Sequence, residues 1–221
     1  MPTHKPFTED PDTWWDKEGP FWTLHAINPL RTQFILNHIK KGRGLDVGCG
    51  GGILTEALAH HFDMTGIDTD ENLIDIAKHH NQVIDYQHIY LEEFVKSPPE
   101  LFDLITCLEV LEHVDNPAAM IKSIANITAP NGYVFFSTLN RNPISFLGAI
   151  VAAEYILQIL PKHTHEYRAF IKPSELIHAA SNEGLKLVDI KGIAYNPLFK
   201  SFSMCHNTWI NYIVCFKKTP P

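Results

Sequence analysis

The chain has 221 residues, 45% hydrophobic and 19% charged, which supplies a core for one α/β domain and excludes general disorder. A net charge of −7 and a pI near 6.0 exclude the basic footprint of a phosphate-backbone binder, so nucleic acid is not an expected partner. The four cysteines, Cys49, Cys107, Cys205 and Cys215, form no CxxC pair, which argues against a disulfide framework or structural zinc and for a reducing cytoplasm. The first residues lack an apolar signal core, and secretion is not expected.

Taken in chain order, the first 28 residues read as an arm. Trp14, Trp15 and Trp22 fall within nine residues, an aromatic density that predicts an ordered arm packed over the body or a ligand. Asn28-Pro29 predicts a turn, and Leu30, Phe34, Ile35 and Ile39 predict a helix over 30–39. Residues 45–48 form a short apolar strand running into glycines, and 53–60 form a helix. Strand 64–67 ends at Asp68, and helix 71–79 follows with Asp70 as its cap. Strands are predicted at 83–89, 102–108 and 133–137, with a chain break at Pro98-Pro99 and a helix over 117–128 begun by Pro117. Residues 185–190 and 210–216 read as two more strands with no helix between them, an antiparallel finish. Alternating strands and helices predict a Rossmann-like fold, a mostly parallel seven-stranded sheet with helices on both faces and an antiparallel C-terminal strand. All of it belongs to one domain, 1–221.

Residues 144–160, ISFLGAIVAAEYILQIL, stand apart. They are seventeen residues with Glu154 as the one charge, shorter than the roughly 20 that span a bilayer. They read either as a buried or lid helix or as a helix lying on a membrane surface, with Lys162, Arg168 and Lys172 close behind. They sit in an insertion of about 141–170 after the fifth strand.

The chemistry concentrates around Asp46-x-Gly48-x-Gly50-x-Gly52, between a strand and a helix. Glycines there allow positive φ and close approach to a ligand. The sixth position from Gly48 is Ile53, so the dinucleotide pattern G-x-G-x-x-G fails, and no G-x-x-x-x-G-K-[ST] loop exists. The D-x-G-x-G-x-G loop of class I methyltransferases fits. It binds a sulfonium amino acid, and acidic Asp46 suits a cation better than a phosphate. Asp68 follows Gly48 by twenty residues, where a carboxylate accepts ribose hydroxyls; alone it would read as a loop or capping residue. The fourth strand ends at Leu108, followed by Glu109, Glu112 and His113. Their three- and four-residue spacing predicts one helical face. Such a set suits a divalent cation, general acid–base work, or plain hydrogen bonding of the pocket loop. His25, His163 and His165 carry weaker signals.

A narrower resemblance rests on Trp14-Trp15-Asp16, on Leu24-His25 with Ile27-Asn28-Pro29-Leu30-Arg31, and on the glycine loop. It extends over the Glu109–Val114 stretch, Ser137-Thr138-Leu139-Asn140-Arg141-Asn142, Ala153-Glu154-Tyr155-Ile156-Leu157 and Phe170-Ile171-Lys172-Pro173-Ser174-Glu175-Leu176. These resemble the ubiquinone biosynthesis O-methyltransferase family. The resemblance implies methyl transfer from S-adenosylmethionine to ring hydroxyls of 2-polyprenyl-6-hydroxyphenol and 3-demethylubiquinol. It implies cofactor contacts at Arg31, Gly48, Asp68 and Leu108, beside Asp46 and Gly50 of the loop. It implies a divalent cation such as Mg2+ on Glu109, Glu112 and His113, the same three being the candidate catalytic groups. It also implies that 144–160 docks on lipid, with a cytoplasmic protein peripheral to the inner membrane and beside other ubiquinone-biosynthesis proteins. Two competing readings are a methyltransferase of another small phenolic acceptor and a catalytically silent cofactor-binding scaffold.

Overall fold

The computed structural model describes residues 11–97, 100–142 and 170–220. The apolar stretch 144–160, His163 and His165 lie outside the described residues.

Eight strands form one sheet: β1 (Arg43–Val47), β2 (Asp63–Asp68), β3 (Asp85–His88), β4 (Phe102–Leu108), β5 (Thr128–Leu139), β6 (Leu185–Asn196), β7 (Ser201–Cys205) and β8 (Asn211–Lys218). Their order is β3-β2-β1-β4-β5-β8-β6-β7. The first five are parallel. β8 runs antiparallel between β5 and β6, which is the expected antiparallel finish. β7 is an added edge strand, antiparallel to β6. Its five residues, SFSMC, are too short and mixed to announce a strand by pattern. Phe202 and Met204 nevertheless pack on the core.

Helices cover both faces: α1 (Pro11–Trp15), α2 (Trp22–His38), α3 (Ile53–Ala59), α4 (Glu71–His80), α5 (Leu91–Phe94), α6 (Pro117–Ile127) and α7 (Pro173–Asn182). One core layer joins Ile105, Phe136 and Val214 of the sheet to Ile121, Ile124 and Leu176 of α6 and α7. The opposite layer joins Leu104, Phe135 and Ile213 to Phe34, Ile35 and Leu58 of α2 and α3. Parallel strands need this double cover, because both faces are apolar. Caps set the helix starts: Asp70 accepts the Asn72 N–H at 2.9 Å, and Asn116 accepts that of Ala119 at 3.1 Å.

Besides β7 and the short α5, other elements depart from the sequence expectation. Asn28-Pro29 is no turn, for α2 runs through Pro29. Proline forfeits one helical hydrogen bond. Packing on α3 and β7 holds the helix, and Asn28 Nδ2 donates to the Ile53 carbonyl at 2.9 Å. The arm therefore ends before Trp22. The third strand is short, and Val83, 94% exposed, lies ahead of it. Helix α7 was not anticipated between the insertion and β6.

The order reverses between β1 and β4, so their carboxyl ends open a crevice at the switch point of the sheet. The chain leaves β5 and returns at the same edge, where the Ile171 N–H donates to the Leu139 carbonyl at 3.1 Å.

Candidate active site

The glycine loop occupies that crevice. Gly48, Gly50 and Gly52 have φ of 74°, 54° and 91°, conformations an L-residue adopts at a cost. At Gly48 a Cβ would also lie 2.3 Å from Val110 Cγ2. The Gly48 N–H donates to the Ile67 carbonyl at 2.8 Å, tying the loop to β2.

Asp68, ending β2, straps loop to helix. Its Oδ2 accepts the Gly50 N–H at 2.8 Å and its Oδ1 accepts the Asp70 N–H at 2.9 Å. A carboxylate oxygen has two lone-pair sites, so a ribose diol could still be received. Arg31, on α2, donates from Nη2 to Glu109 Oε1 at 3.1 Å. Its Nε is buried and, among the described residues, finds no acceptor. An orphaned guanidinium donor beside a glycine cradle is what the carboxylate of an amino-acid cofactor would satisfy. Those two features, with Asp68, fit the expected cofactor.

Asp46 sits elsewhere than expected. It is 3% exposed, beneath the loop, and accepts the Thr55 hydroxyl at 2.6 Å and the Thr106 hydroxyl at 2.7 Å. It clamps α3 and β4 to β1 and offers no free face to a ligand. Burial lifts its pKa from 3.8 to about 6. An acid raised in the folded state binds its proton more tightly folded than unfolded, so its ionisation erodes stability as pH climbs through the window from about 4 to 6. Asp46→Asn should remove this component: the fall in thermal stability from pH 4 to pH 6 becomes shallower than in the wild type. Identical slopes for both proteins would contradict it.

Glu109 directly follows β4 with φ 57°, and its N–H donates to the Ser137 carbonyl at 3.0 Å. Its Oε1 accepts the Ser137 hydroxyl at 2.7 Å as well as Arg31. Leu111–His113 form one 3-10 turn. Glu112 is 8% exposed and accepts the Thr138 hydroxyl at 2.9 Å. Burial, then the Glu109 charge, push Glu112 well above the ordinary carboxylate range. Glu112 therefore holds its proton more tightly than an ordinary carboxyl, beside a Glu109 that Arg31 pairs at 3.1 Å. His113 is exposed, and partial burial of its ring, opposed by Glu109, lowers its pKa. The imidazole is neutral at pH 7.

The expected single helical face therefore does not form, because a left-handed Glu109 precedes a three-residue 3-10 turn. Glu109 and Glu112 meet, but among the described residues no three His, Cys, Asp or Glu side chains are grouped to hold a metal ion. The carboxylates are taken up by Arg31, Ser137, Thr138 and each other, so as placed the three do not fit a shared divalent cation. Leu108, at the end of β4, is half-buried beside Glu109.

Sequence reasoning missed the hydroxyls that hold the acids: Thr55, Thr106, Ser137 and Thr138. Thr106 is the register partner of Asp46, a signal that strand pairing would have supplied. It anticipated the arm better. Trp14, 7% exposed, packs so closely that a Cβ on Gly51 would lie 2.3 Å from its Nε1, and Trp15 stacks on His80 at 3.5 Å between centroids.

Comparisons with known proteins bear on the fold and the family. A family model described as a methyltransferase domain matches residues 22–190. The ubiquinone biosynthesis O-methyltransferase of Neisseria meningitidis serogroup C is 44% identical over 216 residues, covering 94% of this chain and 91% of the relative. That of Bordetella bronchiseptica is 46% identical over 213 residues, covering 93% and 88%. Among solved structures, the N-methyltransferase NodS of Bradyrhizobium japonicum in complex with S-adenosyl-L-homocysteine superposes with a TM-score of 0.65 at 20% identity, covering 96% and 94% of the two chains. Magnesium protoporphyrin IX methyltransferase of Synechocystis, with the same product bound, gives 0.66 at 15% identity, covering 94% of each. The structural likenesses show a shared fold, and the sequence relatives, matched nearly end to end, show more: this chain belongs to the ubiquinone biosynthesis O-methyltransferase family.

Proposed function

We propose that the chain transfers the methyl group of S-adenosylmethionine to ring hydroxyls of 2-polyprenyl-6-hydroxyphenol and 3-demethylubiquinol. The observation that carries the cofactor half is the buried Arg31 Nε, without an acceptor among the described residues, beside the positive-φ glycines and Asp68. Arg31 would receive the cofactor carboxylate, Gly48 and Gly50 would give close backbone approach, Asp68 would receive the ribose and Leu108 would line the pocket. Bound there, the sulfonium supplies an electrophilic methyl. The acceptor half rests on the family.

A phenol titrates near pH 10, as tyrosine does, so the enzyme must assist its deprotonation. Glu112 already holds a proton, and Glu109 is engaged by Arg31 and Ser137. His113, exposed beside them with its pKa lowered by burial, is the candidate general base of the three. The residues' remaining task is alignment, holding nucleophile, methyl and sulfur in line. No step is routed through a metal.

Among the described residues no helix is long and apolar enough to cross a membrane. The substrate's polyprenyl tail nonetheless belongs in a bilayer. A cytoplasmic enzyme attached peripherally to the inner membrane through 144–160, near other proteins of the pathway, follows from that chemistry. Incubation of the purified chain with labelled S-adenosylmethionine and a reduced short-tailed 3-demethylubiquinol should place label in the quinol extract. No label, with acceptor reduced and divalent metal supplied, would refute the reading.

A further inference from the structure

Beside the site, the carboxyl edge of the sheet carries large apolar side chains in the open. Leu198 is 82% exposed, Phe199 73%, Trp209 60% and Ile210 43%. They lie on two loops, the β6–β7 turn and the β7–β8 connection. β5 and β6 both run antiparallel to β8, so β6 ends on the same edge as β1, β4 and β5. Its last residues, from Gly192 on, pair with β7 alone, so the turn projects past the start of β8. The second loop is tied to the end of β5. The Asn140 N–H donates to the Ile210 carbonyl at 2.9 Å, Asn140 Nδ2 to the Thr208 carbonyl at 2.8 Å, and Asn142 Nδ2 to the Trp209 carbonyl. The two loops leave opposite ends of β7, and four exposed apolar side chains of this size along one edge of the sheet mark an interaction surface.

Charge narrows the partner. From Ile190 to the C-terminus there is no Asp or Glu and there are four lysines, so the preceding residues carry −11 of the net −7. Lys200 stands exposed at the turn itself, next to Phe199, and Lys191 and His206 lie 3.3 Å apart behind it. The nearest acid, Asp189, is paired with Lys191 at 3.6 Å. Aliphatic and aromatic side chains with a tryptophan and an exposed lysine at their rim match the headgroup boundary of an anionic bilayer.

We propose that the β6–β7 turn (197–200) and the 206–210 loop form a bilayer-contact surface. Leu198, Phe199, Trp209 and Ile210 enter the headgroup–acyl boundary, and Lys200 meets anionic headgroups. The residues of this surface are separate in sequence from 144–160. It rests on the reading that the acceptor is a bilayer-dissolved polyprenyl quinol, since it would hold the mouth of the site against the phase that stores it.

Co-sedimentation of the full chain with mixed phosphatidylcholine–phosphatidylglycerol vesicles tests it. Leu198→Ser/Phe199→Ser should lower the partition coefficient about tenfold or more, with an unchanged melting curve because both side chains are exposed. Val83→Ser, an equally exposed apolar site away from this edge, should leave binding as it was. Brominated lipid should quench the wild-type fluorescence, and Trp209→Phe should remove that quenching. The proposal is overturned by a wild type that does not bind, by a double variant within about threefold of it, or by absent quenching. It is equally overturned if the double variant converts a dimer to a monomer while vesicle binding persists, since the patch would then join two copies. Turnover of a water-dispersed short-tailed acceptor reports separately: its failure in the wild type removes the enzymatic reading and leaves the vesicle result standing.

Discussion

Asp68→Ala should weaken S-adenosylmethionine binding by at least about 100-fold, because two charge-assisted hydrogen bonds, each worth roughly 1.5–3 kcal/mol, are lost together. The carboxylate already holds the Gly50 and Asp70 N–H groups, so the loop also loses its strap to α4. Asp68→Asn keeps one carbonyl acceptor and should fall between the two proteins. Titration calorimetry separates the cases. An alanine variant whose Kd stays within about threefold of the wild type would remove Asp68 from the cofactor site, since lost charged bonds cannot be that small.

Gly48→Ala should destabilise the fold by about 2–5 kcal/mol, from a left-handed backbone that costs a Cβ roughly 1–2 and an overpacked contact that costs roughly 1–3. Both causes are visible: φ is 74° and the new Cβ would meet Val110 Cγ2 at 2.3 Å. They can be separated. In the Gly48→Ala/Val110→Ala double variant the collision is relieved and the backbone strain remains, so the two changes should be non-additive. Chemical denaturation measures this. A Gly48→Ala protein as stable as the wild type would mean that the loop does not need its glycine.

The parts of this site that were legible in the sequence are those written in local geometry. Glycines at alternate positions after a strand announce positive φ, and an acid twenty residues on announces the next strand's end. What escaped depends on contacts between distant segments. Asp46 looks like a ligand acid until Thr55 and Thr106 close over it. Glu109, Glu112 and His113 look like one helical face until Glu109 takes a left-handed conformation and its carboxylate turns to Arg31 and Ser137. Pro29 reads as a breaker until α2 is seen packed on α3, where one lost hydrogen bond is outweighed by burial of Phe34 and Ile35. Strand β7 is similar, because its pairing with β6 supplies what its five residues do not advertise.

The carboxylate pair also sharpens the electrostatics of the pocket. Arg31 pairs with Glu109 at 3.1 Å, while burial and the Glu109 charge hold the Glu112 carboxyl above its ordinary range. Beside them burial lowers the His113 pKa against the opposing charge of Glu109.

The most direct test of the whole account is methyl transfer by the purified chain to the two acceptors it is proposed to share. With labelled S-adenosylmethionine, reduced 3-demethylubiquinol and 2-polyprenyl-6-hydroxyphenol should each gain one methyl on a ring oxygen, located by mass spectrometry of the extracted lipid. The account is contradicted if neither acceptor is labelled by a folded, cofactor-binding protein, or if the methyl is found on carbon.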